Sequence, residues 1–439
     1  MVYESQYKAK LTDSHTAVEQ IGSNSIVAIG QAVCQPPALM EALASRAEGG
    51  SVDNVKVYYM HAEENMKRTL LRYELMGRIK PYCMFMQEAE RDLIKKGQED
   101  GDRKVVYYVP NSFSQSIRFF TDHIHVDTFL VTVSPMDRNG YFTFGTNNDY
   151  TSSAARQAKR LIVEVNRHMP RVYGRSSLHI SEVDAVVEND APLLALTPRP
   201  IQEHERKISQ RIAELIPDHA CLQIGVGGVP SGVCEALMDR KDLGIHTEVL
   251  NPALAHLIQN GVVTNRWKKI NPGKSVFTFA MGDEAFYDFM HDNIAIESHP
   301  VNYVNDPAVI AQNDKVVSVN SSIEMDLTGA CNSEYVKGHQ FTSTGGQLDF
   351  VRGAYASQGG ISFIAFQSSI KGGKISKIVP RLSGPVTTPR TDVHYVVTEN
   401  GVTNLKGLSS TERAQALIGL ADPAFQDELT AAAKEMHLL

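Results

Sequence analysis

The chain has 439 residues, 42% hydrophobic and 21% charged, a balance that excludes a disordered chain and, at roughly 100–200 residues per domain, fits two to four domains. Its 43 Lys+Arg against 50 Asp+Glu leave a formal net charge of −7, which argues against a nucleic-acid partner, since such binders carry a basic face. With 31 Gly and 19 Pro, neither a collagenous nor a low-complexity chain is possible.

From the N-terminus, residues 1–10 are polar and lack an apolar signal core. Ser25 to Ile29 reads as a strand running into Gly30-Gln31-Ala32, with a helix beginning at Pro36-Pro37. Val55 to Met60 is a second strand. Met66, Leu70, Leu71 and Leu75 share one face of a helix expected over 62–79. Further strands are expected at Val105–Val109, Thr128–Val133 and Leu161–Val165, with Arg138-Asn139-Gly140 turning into Tyr141–Phe144.

A polar, proline-bearing connector, with Glu188-Asn189-Asp190, Pro192 and Pro198-Arg199-Pro200, then marks a domain boundary near residue 190. Beyond it the alternation restarts with a helix over 203–216 and strands at Cys221–Ile224 and Gly244–Glu248. Asn251 caps a helix starting at Pro252. Strands at 276–279, 316–319, 361–366 and 393–398 follow, and two helices close the chain. Strands separated by helices imply α/β architecture, with two similar open domains, 1–190 and 191–439, built on mainly parallel sheets.

Cys34, Cys83, Cys221, Cys234 and Cys331 are scattered, odd in number and free of C-x-x-C pairs, so neither a disulfide framework nor a zinc site is expected. A reducing, cytoplasmic setting follows, and no stretch approaches the roughly 18 apolar residues of a membrane span.

The sharpest local signal is the glycine-rich turn Gly225-Val226-Gly227-Gly228-Val229-Pro230, between a strand and a helix. Glycines there let backbone N–H groups approach a ligand, and a helix N-terminus favours anionic oxygens. A dinucleotide fingerprint would place a ribose-binding acid where Glu248 stands. Pro230 in place of the third glycine and the mid-chain position weigh against it. Glu248 itself is either a ligand-facing carboxylate at a strand end or a solvated acid. Gly345-Gly346 is either an anion-binding pair of amides or a loop entering a helix. Glu399, before Asn400-Gly401, is either a second site carboxylate or a turn residue. His123 and His125 would share one face of an extended segment, a metal-compatible spacing without a third ligand, so a surface pair is the simpler reading and no metal is assigned.

Taken together, and in this order, several motifs are similar to those of family I coenzyme A transferases of the acetyl-CoA hydrolase/transferase group. The resemblance is closest to the 4-hydroxybutyrate and butyryl-CoA:acetate branch. It is carried by Gly30–Pro36, Ser134–Phe142, Glu164-Val165-Asn166 with Met169-Pro170, the Gly225–Pro230 turn, Gly244–Glu248, Val319-Asn320-Ser321, Gly345–Phe350 and Thr398–Gly401.

The resemblance implies that Glu248 is the catalytic carboxylate, forming an acyl-glutamyl anhydride and then a glutamyl-CoA thioester. Gly227, Gly228, Gly345 and Gly346 would supply oxyanion amides, with Asn320 and Glu399 beside the acyl and pantetheine groups. Gly225, Val226, Gly227, Gly228, Val229, Ile323 and Gly346 would line the CoA site. Lys371 and Lys374, flanking Gly372-Gly373, would reach its phosphates unless they form a simple hairpin turn. Coenzyme A would be a substrate, leaving no resident cofactor and no metal. Partners would be an acyl-CoA and a short-chain carboxylic acid such as acetate, butyrate or 4-hydroxybutyrate, with no nucleic acid or membrane, in a homodimer or homotetramer. An acyl-CoA hydrolase using the same site is the nearest alternative, and a nicotinamide-dependent oxidoreductase or a non-catalytic CoA-binding module are further ones. After Glu248, the run Val249–Leu254 departs from the Ser-Asp-Gly run of this branch.

Overall fold

A computed structural model describes residues 2–197 and 199–439; Met1 and Pro198 of the connector lie outside the described residues. The chain divides into two compact units, residues 1–197 with 276–303, and residues 198–275 with 304–439. A single cut near residue 190 therefore misses one feature. Residues 276–303 return to the first unit, where Phe279 bridges Asn147 and Ser298 pairs with Gly174.

The sheet of the first unit contains β1 (Ile26–Ile29), β2 (Val55–Tyr59), β3 (Ile79–Cys83), β4 (Tyr107–Tyr108), β5 (Thr128–Val133), β6 (Arg160–Val165) and β7 (Ala185–Glu188). Its order is β4-β3-β2-β1-β5-β6-β7, every pairing parallel. All six residues of β5 are buried, as expected for a central strand covered on both faces. Its core joins Val27, Ile29, Leu39, Leu43, Val57, Leu130 and Ile162.

In the second unit, β8 (Cys221–Ile224), β9 (Gly244–Leu250), β10 (Val316–Asn320), β11 (Ile361–Ala365), β12 (Tyr395–Thr398) and β13 (Gly401–Asn404) run in the order β9-β8-β10-β11-β12-β13. Only β13 is antiparallel, pairing as a hairpin with β12. In each unit the winding reverses once, between β1 and β5 and between β8 and β10. Such reversals leave a crevice beyond the carboxyl ends of the two strands. Among the described residues no helix is long and apolar enough to cross a membrane.

Most strands fall where apolar runs place them, but the helix expected over 62–79 does not form. The segment makes one short helix, Glu64–Arg68, a 3₁₀ turn at Tyr73–Leu75 and then β3. Thr69 ends the helix, its hydroxyl donating to the Asn65 carbonyl at 2.7 Å. Met66, Leu70, Leu71 and Leu75 are all buried, so their spacing records burial without a continuous helix. His123 closes a π-helical turn over Phe119–His123, so the expected extended pair with His125 is absent.

Candidate active site

Two loops and one strand of the second unit converge on Glu248. The residue lies within β9, which continues two residues past it. Asn305 Nδ2 donates to Glu248 Oε2 at 2.6 Å, and the Gly346 N–H donates to the same carboxylate. Gly346 is the N-cap of the helix Gln347–Ala356, and it follows Gly345, whose φ of +58° suits glycine. A Cβ at position 346 would overlap both Glu248 Oε2 and Asn305 Nδ2. Glycine is therefore required by a close approach of backbone to carboxylate.

Burial raises the Glu248 carboxyl to about 7; the Asn305 hydrogen bond opposes this, and the charge of Asp349 in the first turn of the helix adds to it. A half-buried carboxylate held by two donors is positioned to act as a nucleophile.

The glycine-rich turn lines a pocket at the reversal between β8 and β10, together with Glu205, Asn320, Ser321, Phe366 and Lys377. The helix begins at Gly228, inside the glycine-rich turn, with Gly227 as its N-cap at φ +134°. Gly228 packs directly on the Glu205 carboxylate, where a Cβ would overlap it. Glu205 is tied to Arg199 and, through a capping box, to the Gln202 N–H at 2.9 Å. The turn is fixed to the segment after β9, because Asn251 Nδ2 donates to the Gly225 carbonyl at 3.0 Å while its Oδ1 caps the helix starting at Pro252. Asn320, at the end of β10, donates to Gln223 Oε1 at 3.2 Å.

The candidate residues thus separate into groups. Glu248, with Gly346 beside it, is fixed by Asn305; Gly225, Val226, Gly227, Gly228, Val229 and Asn320 line the pocket. Glu399 is a turn residue between β12 and β13, its carboxylate accepting from Ser368 N–H at 2.9 Å and Ser368 Oγ at 2.6 Å. Ile323 donates its N–H to Asn332 and is absent from the pocket lining. Lys371 and Lys374 form the exposed hairpin turn between Ser369–Ile370 and Ile375–Ser376, and neither lines the pocket.

The cation that does line it is Lys377. Its ammonium lies 5.1 Å from the Phe366 ring centre and forms no ion pair among the described residues. Burial pulls it down to about 8, against the pull of the Glu399 charge. Asn305 and Lys377 carried no sequence signal. Asn305 follows the excursion of residues 276–303, and Lys377 differs from its two lysine neighbours only in where the hairpin turns it.

The molecule is similar to several known proteins. Residues 1–198 match the acetyl-CoA hydrolase/transferase N-terminal domain and residues 282–433 the corresponding C-terminal domain. The chain is 41% identical to a succinyl-CoA:cyclohexane-1-carboxylate CoA transferase of Geobacter metallireducens, over 99% of this chain and 97% of the relative. It is 39% identical to a 4-hydroxybutyrate coenzyme A transferase of Clostridium kluyveri, over 98% of each. Among solved structures, RipA from Yersinia pestis superposes with a TM-score of 0.98 at 56% identity, over 100% of both chains. A 4-hydroxybutyrate CoA-transferase from Porphyromonas gingivalis superposes with a TM-score of 0.84 at 32% identity, over 99% of this chain and 100% of that one.

Proposed function

The chain belongs to the acetyl-CoA hydrolase/transferase family, and from that premise we propose that it transfers CoA between a short-chain acyl-CoA and a carboxylic acid, with Glu248 as nucleophile. The observation that carries this reading is the half-buried Glu248 carboxylate held by Asn305 and Gly346.

The ionised carboxylate attacks the thioester carbonyl; the C–S bond breaks, CoA thiolate leaves, and an acyl-glutamyl anhydride remains. The thiolate then attacks the glutamyl carbonyl, releasing the first acid as a carboxylate and leaving a glutamyl-CoA thioester. A second carboxylate repeats the two steps in reverse and departs as its CoA thioester, so no proton is gained or lost overall. Asn305 and the Gly346 N–H stay on the glutamyl oxygen and stabilise the charge that develops there whenever that carbonyl is attacked. The pocket beside the glycine turn takes CoA, which enters as a substrate, and Lys377 supplies positive charge for its anionic groups.

Initial-rate transfer from acetyl-CoA to butyrate, 4-hydroxybutyrate, succinate and propionate tests the reading. Ping-pong exchange with at least one acid supports it. Acyl-CoA loss that ignores every added acid would instead favour a hydrolase, in which water intercepts the anhydride.

Two expected results concern pH. Because Glu248 must be ionised and its carboxyl is raised to about 7, kcat/KM for acyl-CoA is expected to fall tenfold per pH unit below about 7. Lys377, lowered to about 8, loses its charge above that value, so an alkaline limb is expected from weaker CoA binding. Lys377→Met is expected to raise KM for acyl-CoA about tenfold, the loss of one charge-assisted contact, and to abolish the alkaline limb. An unchanged pH profile in this variant would remove Lys377 from CoA binding.

A further inference from the structure

The first unit carries its own crevice at a winding reversal. It opens beyond the carboxyl ends of β1 and β5 and is walled by the loops after β1, β2 and β6 and by residues 191–194. None of its residues belongs to the Glu248 cluster.

Three features separate this crevice from a mere gap. Ala32, in its wall, has φ +48°, a left-handed backbone that a residue with a Cβ adopts only at a cost and that is concentrated at ligand sites. Two of its three wall amides, Gln35 and Asn166, are engaged within the protein, while the Asn65 amide is exposed. Gln35 Nε2 donates to the His61 carbonyl at 2.5 Å, Gln35 Oε1 accepts from the Glu63 N–H at 3.2 Å, and Asn166 Nδ2 donates to the Ala191 carbonyl at 2.7 Å. One polar group is left over. Glu63 Oε1 is buried without a hydrogen-bond partner among the described residues.

An orphaned buried acceptor costs free energy, and a donor brought by a ligand recovers it. The wall contains no Lys, Arg or His, and its other charged residue is Glu64, so an anionic ligand is repelled. Burial together with the charge of Glu90 already raises the Glu63 carboxyl to about 7. An ammonium ion brings three N–H donors and would find one free carboxyl to receive them. A hydroxyl brings one. The remaining wall at Val33 and Leu193 is apolar and suits a short alkyl chain.

We propose that this crevice binds a small uncharged ligand, its hydroxyl donating to Glu63 and its alkyl chain lying against Val33 and Leu193. The site stands apart from the CoA-transfer reading and does not depend on it.

The test is saturation-transfer NMR on the full chain at pH 6, where the Glu63 carboxyl is neutral, with 1,4-butanediol as the neutral probe and n-butylammonium as the cationic one. Transfer to butanediol is expected in the parent, a loss of at least about fivefold in Glu63→Leu, and retention in Glu63→Gln, whose amide oxygen still accepts. Leu193→Trp, which fills the crevice from the opposite wall, is expected to abolish the signal without touching Glu63. Absence of transfer in the parent, equal transfer in Glu63→Leu and the parent, persistence in Leu193→Trp, or stronger transfer to butylammonium would each overturn the proposal.

Discussion

Glu248→Gln is expected to lower kcat for CoA transfer by about 10,000-fold or more, the order of loss seen when a covalent nucleophile is removed. The amide is nearly isosteric, so Asn305 and Gly346 keep an oxygen to bind, and what disappears is the ability to form the anhydride. Acyl-CoA should still bind, since the pocket beside Gly225 to Val229 is untouched. The same variant is expected to gain stability at pH 8. In the folded state the carboxyl is raised from an ordinary 4.5 to about 7, so the fold favours its neutral form. That contribution is complete below about 4.5 and is lost as pH rises to about 7, so above 7 the ionised Glu248 is a burden that Gln does not carry. Melting curves at pH 5 and pH 8 check this: the gain over the parent should be present at pH 8 and shrink at pH 5.

Gly346→Ala is expected to cost about 100- to 1,000-fold in kcat, with a smaller effect on KM for acyl-CoA. The added methyl overlaps Glu248 Oε2 and Asn305 Nδ2, so the carboxylate, its side-chain donor and its backbone donor must all shift. The change sits at a helix N-cap where φ is −98°, a conformation open to alanine, so the backbone itself is not strained. A parent-like kcat in a folded Gly346→Ala protein would mean that the Glu248–Asn305–Gly346 arrangement is not the reacting geometry. By contrast, Gly345 has φ +58°, and alanine there would act through the backbone instead of through the nucleophile.

These two residues show how much of the site could be read before the fold was known. Glu248 was legible in part: an acid near the end of a strand, some 20 residues past a glycine-rich turn, could by position face either a ligand or solvent, and only the family resemblance pointed to a catalytic carboxylate. Gly346 was legible only as half of a glycine pair, since a sequence does not say what a missing Cβ avoids. Asn305 was invisible: the chain leaves the second unit for residues 276–303 and returns just before it, so neither spacing nor motif links it to Glu248. Lys371 and Lys374, beside paired glycines, could be read either as phosphate ligands or as a hairpin turn; they form the hairpin turn, and the residue beyond it, Lys377, faces the pocket. The strands were readable because parallel strands covered on both faces are uninterrupted apolar runs. The stretch 62–79 was misread for a related reason. Its apolar spacing is real, but burial in the core of the first unit does not require a continuous helix.

The two crevices differ in how a chain of net charge −7 would treat an anion. The pocket of the second unit offers glycine amides at a helix N-terminus and one half-buried lysine, so the positive potential is local. The crevice of the first unit offers the opposite, an acidic wall with no cation. The same sheet topology therefore supports sites of different electrostatic character.

Covalent capture tests the central claim most directly. The enzyme is incubated with acetyl-CoA, treated with borohydride, and mapped by peptide mass spectrometry. A Glu248 whose carboxyl has become a primary alcohol, with parallel loss of transfer activity and dependence on acyl-CoA, is the expected result, because borohydride reduces the glutamyl thioester. Reduction or acylation at any other residue, or an unmodified Glu248 in protein inactivated by this treatment, would contradict it.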